Sequence, residues 1–333
     1  MTYEEAICYL ENACTFGIKP GLMRIHELLE RLGNPQNRYK TVHITGTNGK
    51  GSVTALIANG LTVAGRKTGR YTSPHLEAYT ERMSVDGREI SREDFAAVTE
   101  KISRAVEAMK AAGTEQPTEF EMLTAMAFLY FAEQDVAYAV IEVGMGGLLD
   151  STNVILPVVS VITNVALDHT AYCGTTVEEI ARHKAGIIKD SVPVITAADG
   201  AALDAVAERA AAKGAPLCVL GKDIAVTRRS LEKTAAGGLV QHLRLRLTGG
   251  KETSLELPLL GAHQADNCAV AAAALQYIGT VDGAVTDRAV REGIRTVSWP
   301  GRFQVVRAGG KTVVIDGAHN PAGIETFCRT FDE

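Results

Sequence analysis

The sequence predicts an α/β fold: a doubly wound, mostly parallel sheet carrying a phosphate-binding loop, a small antiparallel insertion, and the beginning of a second α/β domain. Three observations predict it. Short β-rich runs alternate with helical patterns along most of the chain, a glycine-rich turn joins the first strand to the next helix, and the stretch 221–258 switches to a period of two. With 333 residues and 46% hydrophobic content, the chain exceeds one usual core and can fill about two. The expected division is a first domain over 1–297, with the insertion at 221–258, and the start of an incomplete second α/β domain over 298–333.

Helical spacing marks Tyr3 to Asn12 and Leu22 to Leu32, the second ending at Gly33-Asn34-Pro35. Lys40 to Thr45 reads as the first strand, followed by the turn Gly46 to Gly51 and a small-residue helix from Ser52. Further strands are expected at Lys67 to Tyr71, Ala137 to Val143, Val158 to Ile162 and Val192 to Ile195. All but the first of these are largely apolar, as suits a sheet covered on both faces. Ser91 with Asp94, Thr118 with Glu121, and Thr176 with Glu179 mark helix starts. Alternation over Val240 to Leu247, with turns at Gly237-Gly238 and Gly249-Gly250, predicts the antiparallel insertion. Helices follow at His263 to Tyr277 and Asp282 to Arg295. Trp299-Pro300-Gly301 then punctuates the chain before a strand at Lys311 to Ile315, a turn, and a last helical stretch. Those last residues are too few to bury an independent core.

A balance of 34 Lys and Arg against 39 Asp and Glu, net −5, offers no field to draw a nucleic-acid backbone or an anionic membrane. No run of about 18 apolar residues appears, and Met1 to Glu5 lacks the features of a secretory signal. A cytoplasmic monomer is expected. The six cysteines, Cys8, Cys14, Cys173, Cys218, Cys268 and Cys328, form no CxxC pair and read as reduced thiols without assigned chemistry.

The segment Thr45-Gly46-Thr47-Asn48-Gly49-Lys50-Gly51-Ser52 sits where physics favours an anion. Backbone N–H groups of a glycine turn point inward, the following helix presents its positive end, and Lys50 adds a full charge. The strict GxxxxGK[ST] pattern is not met, because Ile44 replaces the first glycine and Gly51 separates Lys50 from Ser52.

These residues resemble the phosphate loop of the Mur ligase superfamily, and Gly49-Lys50-Gly51-Ser52 is similar to its folate branch, the folylpolyglutamate and dihydrofolate synthases. The resemblance extends, in order, through Tyr71-Thr72-Ser73-Pro74-His75-Leu76, Tyr79-Thr80-Glu81-Arg82, Thr118-Glu119-Phe120-Glu121, Glu142-Val143-Gly144-Met145-Gly146-Gly147 and Asp150-Ser151-Thr152-Asn153. It continues through Ala166-Leu167-Asp168-His169, His183-Lys184-Ala185-Gly186-Ile187-Ile188-Lys189, Trp299-Pro300-Gly301-Arg302-Phe303 and Asp316-Gly317-Ala318-His319-Asn320-Pro321. It implies ATP and magnesium as cofactors, L-glutamate with folate or dihydropteroate as substrates, and a further C-terminal domain that this chain mostly lacks.

By the same resemblance, Thr47, Asn48, Gly49, Lys50, Gly51, Ser52, Asn267, Arg302 and Asp316 contact ATP, with His319 and Asn320 as weaker candidates. Ser73, Glu142 and His169 hold magnesium. Lys184, placed near the middle of a helix starting around Thr176, is carbamylated in the family and would hold a second metal ion. Lys50, His169 and Lys184 are the catalytic candidates. Thr118, Glu119, Phe120, Glu121, Asp150, Ser151 and Thr152 lie on the folate side, Asn12 to Thr15 more weakly. Each has a structural alternative: an N-cap for Thr118, a loop histidine bonded to Asp168 for His169, a solvated helical lysine for Lys184, a turn acid for Asp316, a helix-surface amide for Asn267. The implied reaction phosphorylates a carboxylate with ATP and joins the acyl phosphate to the amine of glutamate. Leu148, where bifunctional members often carry Arg, tilts the expectation to folylpolyglutamate synthase. Dihydrofolate synthase, a peptidoglycan-precursor ligase and a nucleotide-binding module without ligase activity remain as alternatives.

Overall fold

A computed structural model describes residues 1–13, 17, 19–234 and 238–333. The first half comprises helices α1 (Tyr3–Ala13) and α2 (Met23–Arg31), strand β1 (Lys40–Thr45), helix α3 (Lys50–Val63), strands β2 (Thr68–Tyr71), β3 (Met83–Val85) and β4 (Arg88–Glu89), helices α4 (Arg92–Ala111) and α5 (Glu119–Glu133), and strands β5 (Tyr138–Glu142) and β6 (Val159–Ile162). Next come α6 (Thr170–Cys173), α7 (Val177–Lys184), β7 (Val194–Thr196), α8 (Gly200–Ala212) and β8 (Leu217–Val219). Then follow β9 (Ala225–Lys233), β10 (Leu239–Arg246), β11 (Glu252–Leu257), α9 (Ala262–Val281), α10 (Asp287–Arg295), β12 (Gln304–Ala308), β13 (Lys311–Ile315) and α11 (Pro321–Asp332).

The main sheet runs β4-β3-β2-β5-β1-β6-β7-β8, parallel from β2 to β8 with β3 and β4 as an antiparallel edge. Its middle strands are buried on both faces, and alternate residues feed different cores. Val140 of β5 packs with Val42 and Ile44 of β1 under α3 and α9, whereas Ala139 and Ile141 join the core of α1, α2, α4 and α5. A third cluster lies between β6, β7 and helices α7 and α8. The expected insertion is a three-stranded antiparallel sheet. Leu243, Leu245 and Leu257 turn inward to the α9 core while Arg244 and Arg246 face out, which is why its sequence alternates. Gly237 of the expected turn, like Cys14 and Thr15, lies outside the described residues.

Several boundaries differ from expectation, each for a local reason. Helix α3 begins at Lys50, not Ser52, because Gly49 takes a left-handed conformation (φ 86°) as its N-cap. Asp282 does not start a helix. It ends α9, accepts the N–H of Ala284, and leaves Thr286 to cap α10 by accepting from Ala289. Lys184 is the last residue of α7, not a middle one, since a tight turn over Ala185–Ile187 follows. Strands β3, β4 and β8 escaped prediction because each has three residues or fewer, too short for a period to register.

Asp282 also forms a two-pronged pair with Arg66 and accepts the hydroxyl of Tyr138 at 3.1 Å, tying the end of α9 to β5 and to the approach of β2. The Arg66 guanidinium holds its carboxyl down at about 2. A depressed carboxyl contributes stability above its unfolded pKa and loses it as pH falls through the folded one. Asp282→Asn is therefore expected to lower Tm by about 2–4 °C at neutral pH, the difference vanishing between about pH 4 and 2 in calorimetric scans.

The segment after Trp299 forms the β12–β13 hairpin and α11, and it packs back on the main domain. Asn320 exchanges hydrogen bonds with Asn48 at 3.0 and 3.3 Å, Gly317 N–H donates to Gly301 at 2.9 Å, and Arg229 pairs with Glu333 at 2.7 Å. No helix among the described residues is long and apolar enough to cross a membrane.

Candidate active site

Four adjacent parallel strands, in the order β2, β5, β1, β6, deliver the site residues at their carboxyl ends. Ser73 follows β2, Glu142 ends β5, the phosphate loop follows β1, and His169 lies beyond β6. The chain changes its direction of travel across the sheet at β1, and such a switch opens a crevice for ligands.

The loop is held from below by the segment after β6. Thr47 N–H donates to Asn164 O at 2.8 Å, Asn48 N–H to the Asn164 side chain at 2.8 Å, and Thr163 Oγ1 to Asn48 O at 2.7 Å. Two glycines are obligatory for packing. A Cβ on Gly49 would strike the amide of Asn267, and one on Gly51 would meet the Trp299 indole at 2.9 Å. Asn267 is thus not a helix-surface amide: it sits over the loop, donating to Gln264, which in turn donates to the buried Ser52 hydroxyl at 3.1 Å. Lys50 curls over the turn and donates to the carbonyls of Gly46 and Thr47, both at 3.1 Å.

Glu142 is 4% exposed. Among the described residues its carboxylate accepts one hydrogen bond, from Ser73 N–H at 3.4 Å, and no cation lies within ion-pair distance. Burial pushes its carboxyl up to about 7, against the opposing pull of Lys50. A buried anion without a counter-ion is suited to a bound cation. Among the described residues no three His, Cys, Asp or Glu converge on one point. A carboxylate with a hydroxyl and an imidazole nearby would leave coordination positions for phosphate oxygens and water, as magnesium prefers. Ser73 and His169 border the same cavity. His169 caps α6 in a left-handed conformation, and its own N–H donates to Asp168 at 3.0 Å. Burial lowers its pKa, with Lys50 and Lys184 adding to the effect.

Lys184 is almost fully buried and donates to Gly46 O at 2.8 Å, so two ammonium groups share one carbonyl. Burial, then Lys50, lowers its amine to about 7. The solvated-lysine alternative does not hold.

The cavity that Ser73 and His169 border has a volume of about 480 Å³. Thr118, Glu119, Phe120, Glu121, Asp150 and Ser151 border it. Thr118 is also the N-cap of α5 in a full capping box with Glu121, whose carboxylate Arg24 pairs at 3.1 Å. Thr152 is the exception: it is fully buried behind the wall and bonds to Asp150 and His43. Of the weaker stretch Asn12 to Thr15, Ala13 at the end of α1 borders the cavity and Asn12 does not line it, while Cys14 and Thr15 lie outside the described residues. Arg302 comes close to Gly317, and Asp316 accepts from Phe303 and Ala318, both at 2.7 Å, as a turn acid would. His319 bonds back to Gly317 O at 2.8 Å. Sequence reasoning missed Arg82, which borders the cavity and is steadied by His75 at 2.9 Å; it lies inside a motif already singled out, and its charge was the available signal.

Residues 44–275 match the family model described as the Mur ligase middle domain. The chain belongs to the Mur ligase family. A dihydrofolate synthase/folylpolyglutamate synthase of Bacillus subtilis is 37% identical over 334 residues, covering 99% of this chain and 76% of that protein. An FPGS–AMPPCP–folate complex superposes with a TM-score of 0.90 at 35% identity, covering all of this chain and 80% of the other. Folylpolyglutamate synthase of Mycobacterium tuberculosis, complexed with ADP and AMPPCP, gives a TM-score of 0.89 at 37% identity, over 99% of this chain and 74% of that one. This Mur ligase chain therefore shares its fold with enzymes solved with nucleotide and with folate.

Proposed function

We propose that this chain is an ATP- and magnesium-dependent ligase that adds L-glutamate to the γ-carboxylate of a reduced folate. The observation that carries the reading is the phosphate-loop Lys50 acting on a buried, unpaired Glu142, which bonds to Ser73 on the wall of the 480 Å³ cavity. Lys50 and the loop N–H groups bind the β and γ phosphates of ATP, and Asn267 and Arg302 face the nucleotide from the side of the later segment. Ser73, Glu142 and His169 would hold magnesium, which offsets phosphate charge when bound. The acceptor carboxylate oxygen attacks the γ phosphorus, and the bond to the bridging oxygen breaks to release ADP. Glutamate's amine, having lost a proton, attacks the acyl carbon and expels phosphate. Orientation and charge stabilisation carry the rate, with no Ser or Cys nucleophile.

Thr118 to Glu121, Asp150 and Ser151 form the acceptor wall. The second acceptor is dihydropteroate, in line with the double name of the B. subtilis relative. Incubation with ATP, magnesium, glutamate and either tetrahydrofolate or dihydropteroate, with products identified by mass, decides between them. ADP release strictly dependent on acceptor and glutamate is expected; slow acceptor-independent hydrolysis would instead indicate a nucleotide-binding module. The segment 298–333 is read as the first elements of a second α/β domain. Val305, Val313, Ile315 and Phe331 are exposed on it, an apolar surface suited to further packing.

Lys184 is read as the site of carbamylation. With its pKa lowered to about 7, the buried amine is partly neutral near physiological pH; that form adds carbon dioxide, and the resulting anion would replace its repulsion from Lys50 by attraction. Intact-mass measurement in bicarbonate is expected to show an increment of one carbon dioxide, absent in Lys184→Arg. A fully active chain with unmodified Lys184 refutes it.

A further inference from the structure

His43 stands on β1, near the centre of the sheet, and is fully buried. Its neighbours Val42 and Ile44 face α3, so the alternation of the strand sends His43 to the opposite side, toward Asp150 to Thr152. Its Nε2 lies 2.9 Å from Thr152 Oγ1, and Thr152 Oγ1 lies 2.5 Å from Asp150 Oδ1. Asp150 accepts two further bonds, from Thr152 N–H at 3.0 Å and Met145 N–H at 2.9 Å, and borders the cavity.

A hydroxyl carries one hydrogen. Burial pushes the Asp150 carboxyl up, and the hydrogen bonds it accepts oppose that push. With Asp150 ionised, the Thr152 hydrogen goes to the carboxylate, and the imidazole nitrogen facing Thr152 must be the protonated one, because two lone pairs at 2.9 Å would repel. His43 Nδ1, which has no partner, is then a bare lone pair. The opposite tautomer would bury an unpaired N–H, the rarer and costlier defect. Burial keeps the ring neutral, its pKa lowered to about 3. The chain of bonds therefore has one direction: His43 Nε2–H to Thr152 Oγ1, and Thr152 Oγ1–H to Asp150.

We propose that His43 is a positioning residue for acceptor recognition: through Thr152 it locks the Asp150 carboxylate in one rotamer and keeps it a hydrogen-bond acceptor toward the cavity. The inference rests on the reading of this cavity as the acceptor site. The wall then selects an acceptor whose ring end presents N–H donors, and an interior strand residue that touches no ligand sets that selectivity.

Two measurements test it. Nitrogen NMR of the chain labelled at histidine should show His43 protonated at Nε2 and bare at Nδ1, with no titration between about pH 5 and 8. Direct binding of tetrahydrofolate and of dihydropteroate should weaken about tenfold in His43→Leu and in Thr152→Val, with AMPPCP affinity unchanged and the double variant no weaker than either single one. His43→Gln, which carries an N–H at the equivalent reach, should recover most of the loss. Thr152→Val preserves shape and carries the comparison if His43→Leu does not fold. An Nδ1–H tautomer, or unchanged acceptor affinity in Thr152→Val, overturns the relay alone. Absence of acceptor binding by the unsubstituted chain overturns the functional reading, and the relay's role with it.

Discussion

Lys50→Met is expected to cut turnover by about 10²–10³-fold while leaving Tm unchanged or slightly higher. Methionine keeps the length of the stem and removes the one full positive charge that the phosphate loop places at its mouth. Removing a charge aimed at the transferring group in a water-poor site costs about 3–4 kcal/mol of transition-state stabilisation. The fold does not need it. In the chain without nucleotide, the Lys50 ammonium rests on the carbonyls of Gly46 and Thr47, and Lys184 already donates to the first of these. Its loss removes a repulsion between two neighbouring cations, one of them almost fully buried. Steady-state ADP release and a thermal melt, measured on the same preparation, separate the two effects. Turnover within tenfold of the unsubstituted chain would remove Lys50 from the chemistry.

The elements legible in the sequence are those whose causes are local. Thr118 with Glu121 and Thr176 with Glu179 close capping boxes within four residues, so pattern and structure agree. The strand at Lys40 to Thr45 ends where its sequence does, because a glycine turn with a left-handed Gly49 must follow. Gathering Ser73, Glu142 and the loop at one rim follows from parallel pairing, since each residue terminates its own strand. What the sequence concealed depends on partners far along the chain. Thr152 shares a motif with Asp150, yet it faces His43, 109 residues away, and not the cavity. Asn267 is an ATP candidate by resemblance alone; helical spacing does not show that α9 brings it over Gly49. The burial of Lys184 was equally invisible, because helical spacing does not say which neighbour closes over the last turn.

Glu142→Gln is expected to divide stability from function. In the chain free of metal and nucleotide, an ionised carboxylate that is 4% exposed and has no cation partner is a cost, because burial removes water that nothing replaces. Glutamine keeps the shape and the acceptor for Ser73 N–H without the charge. The variant should therefore be more stable by about 1–3 kcal/mol above pH 7. The sign of the pH dependence follows from the raised pKa of about 7. The folded chain takes up its proton before the unfolded chain does, so the unsubstituted chain gains stability as pH falls from about 7 toward 4.5, and the advantage of glutamine shrinks over that window. Turnover should fall by more than about 10²-fold, and the rise in Tm that magnesium with AMPPCP gives the unsubstituted chain should largely disappear, since a bound ligand stabilises only in proportion to its affinity. The three readouts constrain one another. A glutamine variant that is less stable without metal would make Glu142 a structural acid, whereas one that is more stable yet still active would leave its burial without a function. Only a gain in stability joined to loss of both turnover and the magnesium response fits a carboxylate kept unpaired for a cation.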